Sequence, residues 1–234
     1  KNGINYFGKK NFLGTFSPPV AVINDFNFLN TLNERDWRSG MSEAVKVALI
    51  KDAAFFYWLE DHALALSRRD TETMEKLIFD CGALHVDHIS SQGDPFEMGS
   101  SRPLDFGHWA AHKLEQLTEF EVKHGEAVAI GIALDLAYAV NEGLLAHNVF
   151  ERVYAVLGQL GFTLFHPLLL NQETNTLNPE VYAGLEEFRA HLGGQLTITL
   201  IKEIGIQFNV HKMNKNSLDR AALLLRQKSI IHAN

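Results

Sequence analysis

The sequence predicts a mainly α-helical, multi-helical domain carrying a small β-hairpin, and three observations support this. Apolar residues recur at three- and four-residue steps over most of the chain after Asn33, the period of helices that bury one face. Strand-like alternation is confined to Leu196 to Leu200, where Thr197 and Thr199 separate apolar neighbours, with Gln207 to Val210 as its partner. At 234 residues the chain can bury a sizeable core.

Taken in order, residues 1–18 are rich in Gly, Lys and Asn and run into Pro18-Pro19, which reads as an ordered loop without helical or strand period. Val20 to Ile23 is a short apolar run, expected to be a buried strand closed by Asn24-Asp25. Trp37, Met41, Val45, Ala48, Leu49, Ala53, Phe56 and Leu59 then keep a helical period, which predicts one long helix. Further helices are expected at about 70–88, 104–119, 125–143, 147–161, 178–191 and 216–229. Gly193-Gly194 stops the helix before the hairpin, whose turn falls at Glu203-Ile204-Gly205. Ser90 to Pro103 is the longest stretch without period in the middle of the chain, and ordered loops of that length often carry function. The resulting division is a loop and short strand over 1–32 and a helical domain over 33–234.

Composition excludes several classes. A net charge of -7 with no basic block argues against a nucleic-acid partner, because phosphate-backbone binding rests on clustered Lys and Arg. The longest apolar run, Ala127 to Val140, is interrupted by Asp135 and is too short for a membrane span, so it reads as a core helix. Cys81 stands alone, which rules out an intrachain disulfide framework and suits a reducing cytoplasm. It is expected to be a small buried hydrophobe. The chain opens on Lys1-Asn2-Gly3 with no initiator Met and no visible signal peptide, which suggests a fragment.

Three segments carry candidate chemistry. His108 and His112 are four apart on an expected helix and so project from one face. His124 opens a very apolar helix, and Glu43 and Lys46 lie one turn apart on the expected long helix. Taken singly, each has an ordinary reading: a surface or satisfied His pair, a histidine at the core's edge, and an i,i+3 ion pair worth a few tenths of a kcal/mol. Taken together, Glu, His and His from separate helices make the ligand set of a catalytic zinc site with an open position for a substrate oxygen.

The order and local spelling of these segments resemble the 3-dehydroquinate synthase family of sugar phosphate cyclases. Gly40 to Lys46 resembles that family's Gly, two residues, Glu, two residues, Lys pattern. Asp105-Phe106-Gly107-His108 resembles its Asn-Phe-Gly-His helix start, and His124-Gly125-Glu126-Ala127-Val128 its His-Gly-Glu-Ala-Val, at the same sixteen-residue step. Lys1 to Asn5 and Gly8 to Gly14 resemble its substrate loop. The resemblance implies that Glu43, His108 and His124 ligate a divalent metal, zinc or else cobalt, and that Lys46 and His112 are catalytic. It also implies substrate contacts from Lys1, Asn11, Arg102, Asp105 and His112, and NAD contacts from Lys10, Phe28, Leu29, Asn30 and Thr31. The glycine-rich NAD loop belongs to an N-terminal domain expected to be absent from this chain. The implied reaction is cyclisation of a ketose phosphate with phosphate elimination, and the isolated half is expected to be inactive. Implied partners are a small sugar phosphate, the chain's own NAD-binding domain and a second copy in a homodimer.

Several departures bear on substrate. Ser101 stands where the synthase has an Arg, with Arg102 one place later, and Asp105 replaces an Asn. His85-Val86-Asp87-His88 occupies a stretch where a Lys is expected, and His191-Leu192-Gly193-Gly194 one where Asp-Lys-Lys is expected. These changes resemble the branch of 2-epi-5-epi-valiolone synthase, whose ketose phosphates lack a carboxylate. Two other readings stand beside the cyclase. A metal-dependent polyol dehydrogenase of the glycerol dehydrogenase type shares the architecture and NAD, but Lys46 and the Lys10-Asn11 loop favour a phosphorylated substrate. A non-catalytic interaction protein keeping the fold would have no use for the intact Glu43, His108 and His124 set.

Overall fold

The computed structural model describes residues 2–6, 9–15, 20–91 and 102–231; at Asn2, Gly3, Asn5, Lys9, Lys10, Asn11, Phe12, Thr15, Ser91, Arg102, Pro103 and His191 the description is of the backbone alone. The chain begins with an antiparallel hairpin, β1 (Asn2–Tyr6) and β2 (Lys9–Thr15), with Ile4 opposite Leu13. This overturns the loop expected there, over residues 2–6 and 9–15. The strand signal is weak in the sequence because Ile4, Tyr6 and Leu13 are all exposed, so no inside face imposes alternation. Val20 to Ile23 is the converse error: the apolar run forms no strand, and Val20, Val22 and Ile23 are exposed. A 3-10 turn, Phe26–Thr31, follows, with the Asp25 carboxylate accepting the Asn27 N–H at 2.9 Å.

The expected long helix is three helices: α1 (Glu34–Ser39), α2 (Met41–Lys51) and α3 (Ala53–Ser67). Asn33 caps α1 by accepting from Asp36 N–H. Asp52 leaves the helical region at φ -147° and ψ 99°, and its carboxylate accepts the Phe55 N–H at 3.0 Å to start α3. The helical period survives these breaks because each piece turns an apolar face inward, so periodicity alone could not reveal them.

The remaining elements fall close to their expected spans: α4 (Thr71–Ser91), α5 (His108–Leu117), α6 (His124–Asn141), α7 (His147–Gln159), α8 (Pro179–His191), β3 (Ile198–Glu203), β4 (Ile206–Val210) and α9 (Lys215–Ile231). A 3-10 turn, Arg102–Asp105, precedes α5. Helix α6 is the axis of the core, buried from Ala127 through Ala139, and α2, α5, α7 and α9 pack around it. The β3–β4 hairpin pairs Ile198 with Val210 through Ile201 with Gln207 and packs on α2 and α6. Its turn seals the α2–α3 break: the Gly205 N–H donates to Leu49 O at 2.8 Å, and a side chain at Gly205 would lie 2.8 Å from the Ala53 nitrogen. No helix among the described residues is long and apolar enough to cross a membrane. Cys81 is half-buried, with its thiol pushed up to about 12 mainly by burial, which makes it inert as a nucleophile.

Candidate metal centre

Glycines and one buried carboxylate set the frame. Helix α5 starts at Gly107, in the left-handed region at φ 77°, where an added Cβ would sit 2.7 Å from the Ile132 nitrogen. Across the interface, a Cβ on Gly131 would lie 1.9 Å from Gly107 O, so α5 and α6 cross backbone to backbone. Asp135, fully buried on α6, accepts the Gly107 N–H at 3.0 Å and the Trp109 indole N–H at 2.8 Å. Burial raises its carboxyl to about 7, against these two donors. At the start of α6 a Cβ on Gly125 would lie 1.8 Å from Ser39 O, so His124 is held against the α1–α2 junction. Glu126 caps this end, accepting the Lys123 N–H at 2.9 Å and the Arg35 guanidinium at 2.6 Å. Its place in the His-Gly-Glu-Ala-Val run is therefore structural.

This frame brings Glu43, His108 and His124 together. Glu43 Oε1 lies 3.4 Å from His108 Nε2 and 3.2 Å from His124 Nε2, and the three candidate ligand atoms lie within 4.8 Å of one another. A tetrahedral ion with bonds of about 2.1 Å spaces its ligands about 3.4 Å apart, so the two carboxylate–imidazole separations fit a zinc-like ion. Tautomers agree with that use. His108 Nδ1 lies 3.0 Å from Phe106 O, which can only accept, so Nδ1 carries a proton and Nε2 is the atom that faces Glu43. Glu43 Oε1 is buried and makes no hydrogen bond of acceptable geometry. A carboxylate oxygen facing two imidazole nitrogens calls for a cation between them, a proton on a ring or a metal ion. His124 Nδ1 lies 3.1 Å from Glu115 Oε2, leaving its Nε2 for the same point.

The electrostatics follow from these contacts. Burial would raise the Glu43 carboxyl, but His108, His124 and Lys46 outweigh it and hold it well below the usual carboxylate range. Lys46 pairs with Glu43 Oε2 and is buried. Glu115, then Glu43, raise the His124 imidazole to about 9 in the metal-free chain.

The family model described as 3-dehydroquinate synthase C-terminal matches residues 40–180, and the one described as 3-dehydroquinate synthase N-terminal matches residues 1–39. The chain belongs to the 3-dehydroquinate synthase family. It is 34% identical over 206 residues to a 3-dehydroquinate synthase from Halorhodospira halophila, covering 88% of this chain and 56% of that one. It is also 32% identical to a 2-epi-5-epi-valiolone synthase from an Actinoplanes species, over 96% of this chain and 56% of the relative. Among solved structures, a 2-epi-5-epi-valiolone synthase from Streptomyces hygroscopicus subsp. jinggangensis, with NAD+ and Zn2+ bound, superposes with a TM-score of 0.84 at 30% identity, covering 97% of this chain and 61% of that one. A 2-deoxy-scyllo-inosose synthase shares the fold with a TM-score of 0.73 at 20% identity over 94% of this chain and 60% of that one. The chain thus spans little more than half the length of the curated relatives it matches.

Of the residues that the likeness to the 3-dehydroquinate synthase family singles out, the structure brings together Glu43, Lys46, His108, His112 and His124. The His112 ring is exposed, 5.5 Å from the His108 ring and 6.0 Å from the His124 ring between centroids. Asp105 is half-buried, three residues before His108. Phe28, Leu29, Asn30 and Thr31 lie on the first 3-10 turn, tied down where Arg69 donates to Leu32 O at 2.7 Å. Lys1 and Ser101 lie outside the described residues, as do the side chains of Lys10, Asn11, Arg102 and His191. The sequence reading missed Glu115. A glutamate in an amphipathic helix ordinarily reads as surface, yet positions 108, 112 and 115 share one face, and that spacing was the available signal.

Proposed function

We propose that this chain forms the metal- and substrate-binding part of a sugar phosphate cyclase, acting with NAD and a divalent metal to cyclise a ketose phosphate with loss of phosphate. The observation that carries the proposal is the convergence of Glu43 Oε1, His108 Nε2 and His124 Nε2 at zinc-like spacing. A metal bound there would act as a Lewis acid on substrate oxygens. The protein's own groups orient and neutralise. Lys46, buried beside Glu43, sets a fixed positive charge where a substrate alkoxide would develop. His112 stands on the exposed side of the cluster, where its N–H can meet a phosphate oxygen. The turn Phe26–Thr31 would edge the nucleotide, whose main site we assign to a further NAD-binding domain.

Elemental analysis of the purified chain tests the metal assignment. About one zinc-like ion per chain is expected, with loss of that ion in His108→Ala and in His124→Ala; equal metal content in all three proteins would refute it.

For substrate, we infer a ketose phosphate with an uncharged end, sedoheptulose 7-phosphate being the first to try. A carboxylate is best held by an Arg fork or a Lys. Here Ser101 takes the Arg position, and Asp105 presents a carboxylate of its own near the start of α5. Truncating one partner of a buried charge pair costs about 3–5 kcal/mol, enough to exclude a competing substrate. Phosphate release by the intact polypeptide with NAD should favour sedoheptulose 7-phosphate over the carboxylated dehydroquinate precursor. Efficient turnover of the carboxylated substrate, lost in Arg102→Ala, would overturn that order.

A further inference from the structure

We propose that Glu115 is a positioning residue for this centre: its buried carboxylate fixes the ring orientation and tautomer of His124, so that Nε2 faces Glu43 Oε1. The proposal rests on the metal reading above, and its first readout is independent of metal. Three observations carry it.

Glu115 is a charged side chain only 4% exposed, buried on α5 as Ala111 and Leu114 are. Burying a carboxylate is costly unless it is partnered, so its contacts there are not incidental. Its Oε2 lies 3.1 Å from His124 Nδ1. A carboxylate can only accept in this contact, so Nδ1 must carry a proton and Nε2 is the atom left to face Glu43, 3.2 Å away.

His124 needs such an anchor. It sits in the first turn of α6 with its side chain 40% exposed, whereas His108 is 10% exposed and held by Phe106 O. The neighbouring carboxylate that could compete, Glu126, is committed to Lys123 N–H and Arg35. A carboxylate behind a metal-facing imidazole fixes the ring and raises its basicity, and removing such a partner weakens metal binding by about 10–100-fold.

Glu115, His112 and His124 also lie close enough to form a second cation cluster. The two roles for Glu115 are mutually exclusive at His124 Nδ1, which cannot both donate a proton and bind an ion.

The test uses the full chain, with Zn2+ and Co2+ alone as probes. In the metal-free protein a slowly exchanging, downfield His124 Nδ1 proton is expected by NMR, moving upfield in Glu115→Gln and vanishing in Glu115→Ala while the remaining amide spectrum superimposes. With metal, Glu115→Gln should keep one ion per chain, bind Zn2+ about 10–100-fold more weakly and alter the visible Co2+ spectrum. Absence of the proton in the parent, or unchanged Zn2+ affinity and Co2+ spectrum in Glu115→Gln, would overturn the role. Two ions per chain would overturn it too, making Glu115 a ligand. If the parent binds no ion but the Nδ1 proton responds to Glu115 as described, the metal reading fails and the positioning contact stands.

Discussion

At the α5–α6 crossing, Phe106, Trp109, Ile132 and Leu136 are buried to 1% exposure or less, and two glycines let the backbones touch. Between residues 20 and 31, Val20, Val22, Ile23 and Phe28 stand out from the surface, and the 3-10 turn there contains no buried residue. Both regions are apolar in sequence, but the first completes its own packing and the second leaves its side chains exposed. The contrast separates two kinds of functional surface. The proposed metal ligands converge within this chain, whereas the edge proposed to meet NAD stays open, as one wall of a cleft between domains would.

The comparison breaks most sharply at Gly131. A methyl there would lie 1.9 Å from Gly107 O, a backbone atom that cannot move aside alone. Gly131→Ala is expected to destabilise the chain on the order of 5 kcal/mol and to lower its metal content, by denaturant titration and elemental analysis. A parent-like unfolding midpoint would mean that the crossing is looser than described.

Asp135 sharpens the same side through pH. Its carboxyl lies at about 7 in the folded chain, against 3.8 for an ordinary aspartate in water. Between those values the folded state therefore binds more protons than the unfolded one, so this group's contribution favours folding at pH 4 and is lost as pH rises through 7. Relative to Asp135→Asn, which does not titrate, the parent should lose up to about 4 kcal/mol of stability over that interval, read from melts at matched ionic strength. A constant difference between the two proteins would exclude a raised Asp135.

The smallest effect is expected on the other side. Phe28→Ser removes a ring that is 69% exposed and should change stability by no more than about 0.5 kcal/mol. A loss comparable with that at Gly131 would show that the segment packs within the chain after all.

Legibility in the sequence followed burial. The helices around α6 and the β3–β4 hairpin were readable because their inward faces carry the apolar period, and the i,i+4 spacing of His108 and His112 put two imidazoles on one face. Hairpin β1–β2 was not, since Ile4, Tyr6 and Leu13 are exposed and alternation had nothing to mark. The breaks at Gly40 and Asp52 were hidden by an apolar period that continues through them, although Asp52 three residues before Phe55 is a recognisable capping spacing. Bringing Glu43 to the histidines depended on the Gly125–Ser39 approach, a contact across 86 residues that no local pattern encodes. Glu115 and Asp135 read as an ordinary helix-surface charge and as an interruption of an apolar run; their value lies in what they touch across a helix interface.

Because Gly107, Gly125 and Gly131 fix where the helices meet, the imidazoles and the carboxylate are aimed by the polypeptide before any ion arrives. Small metal-nucleated domains collapse when a chelator strips their ion, since binding and folding there are one event. In this chain the two events should separate. An ion held as proposed would be a replaceable guest, so chelation followed by reloading with a different divalent metal should proceed at native-like structure, without a refolding step between the two occupants.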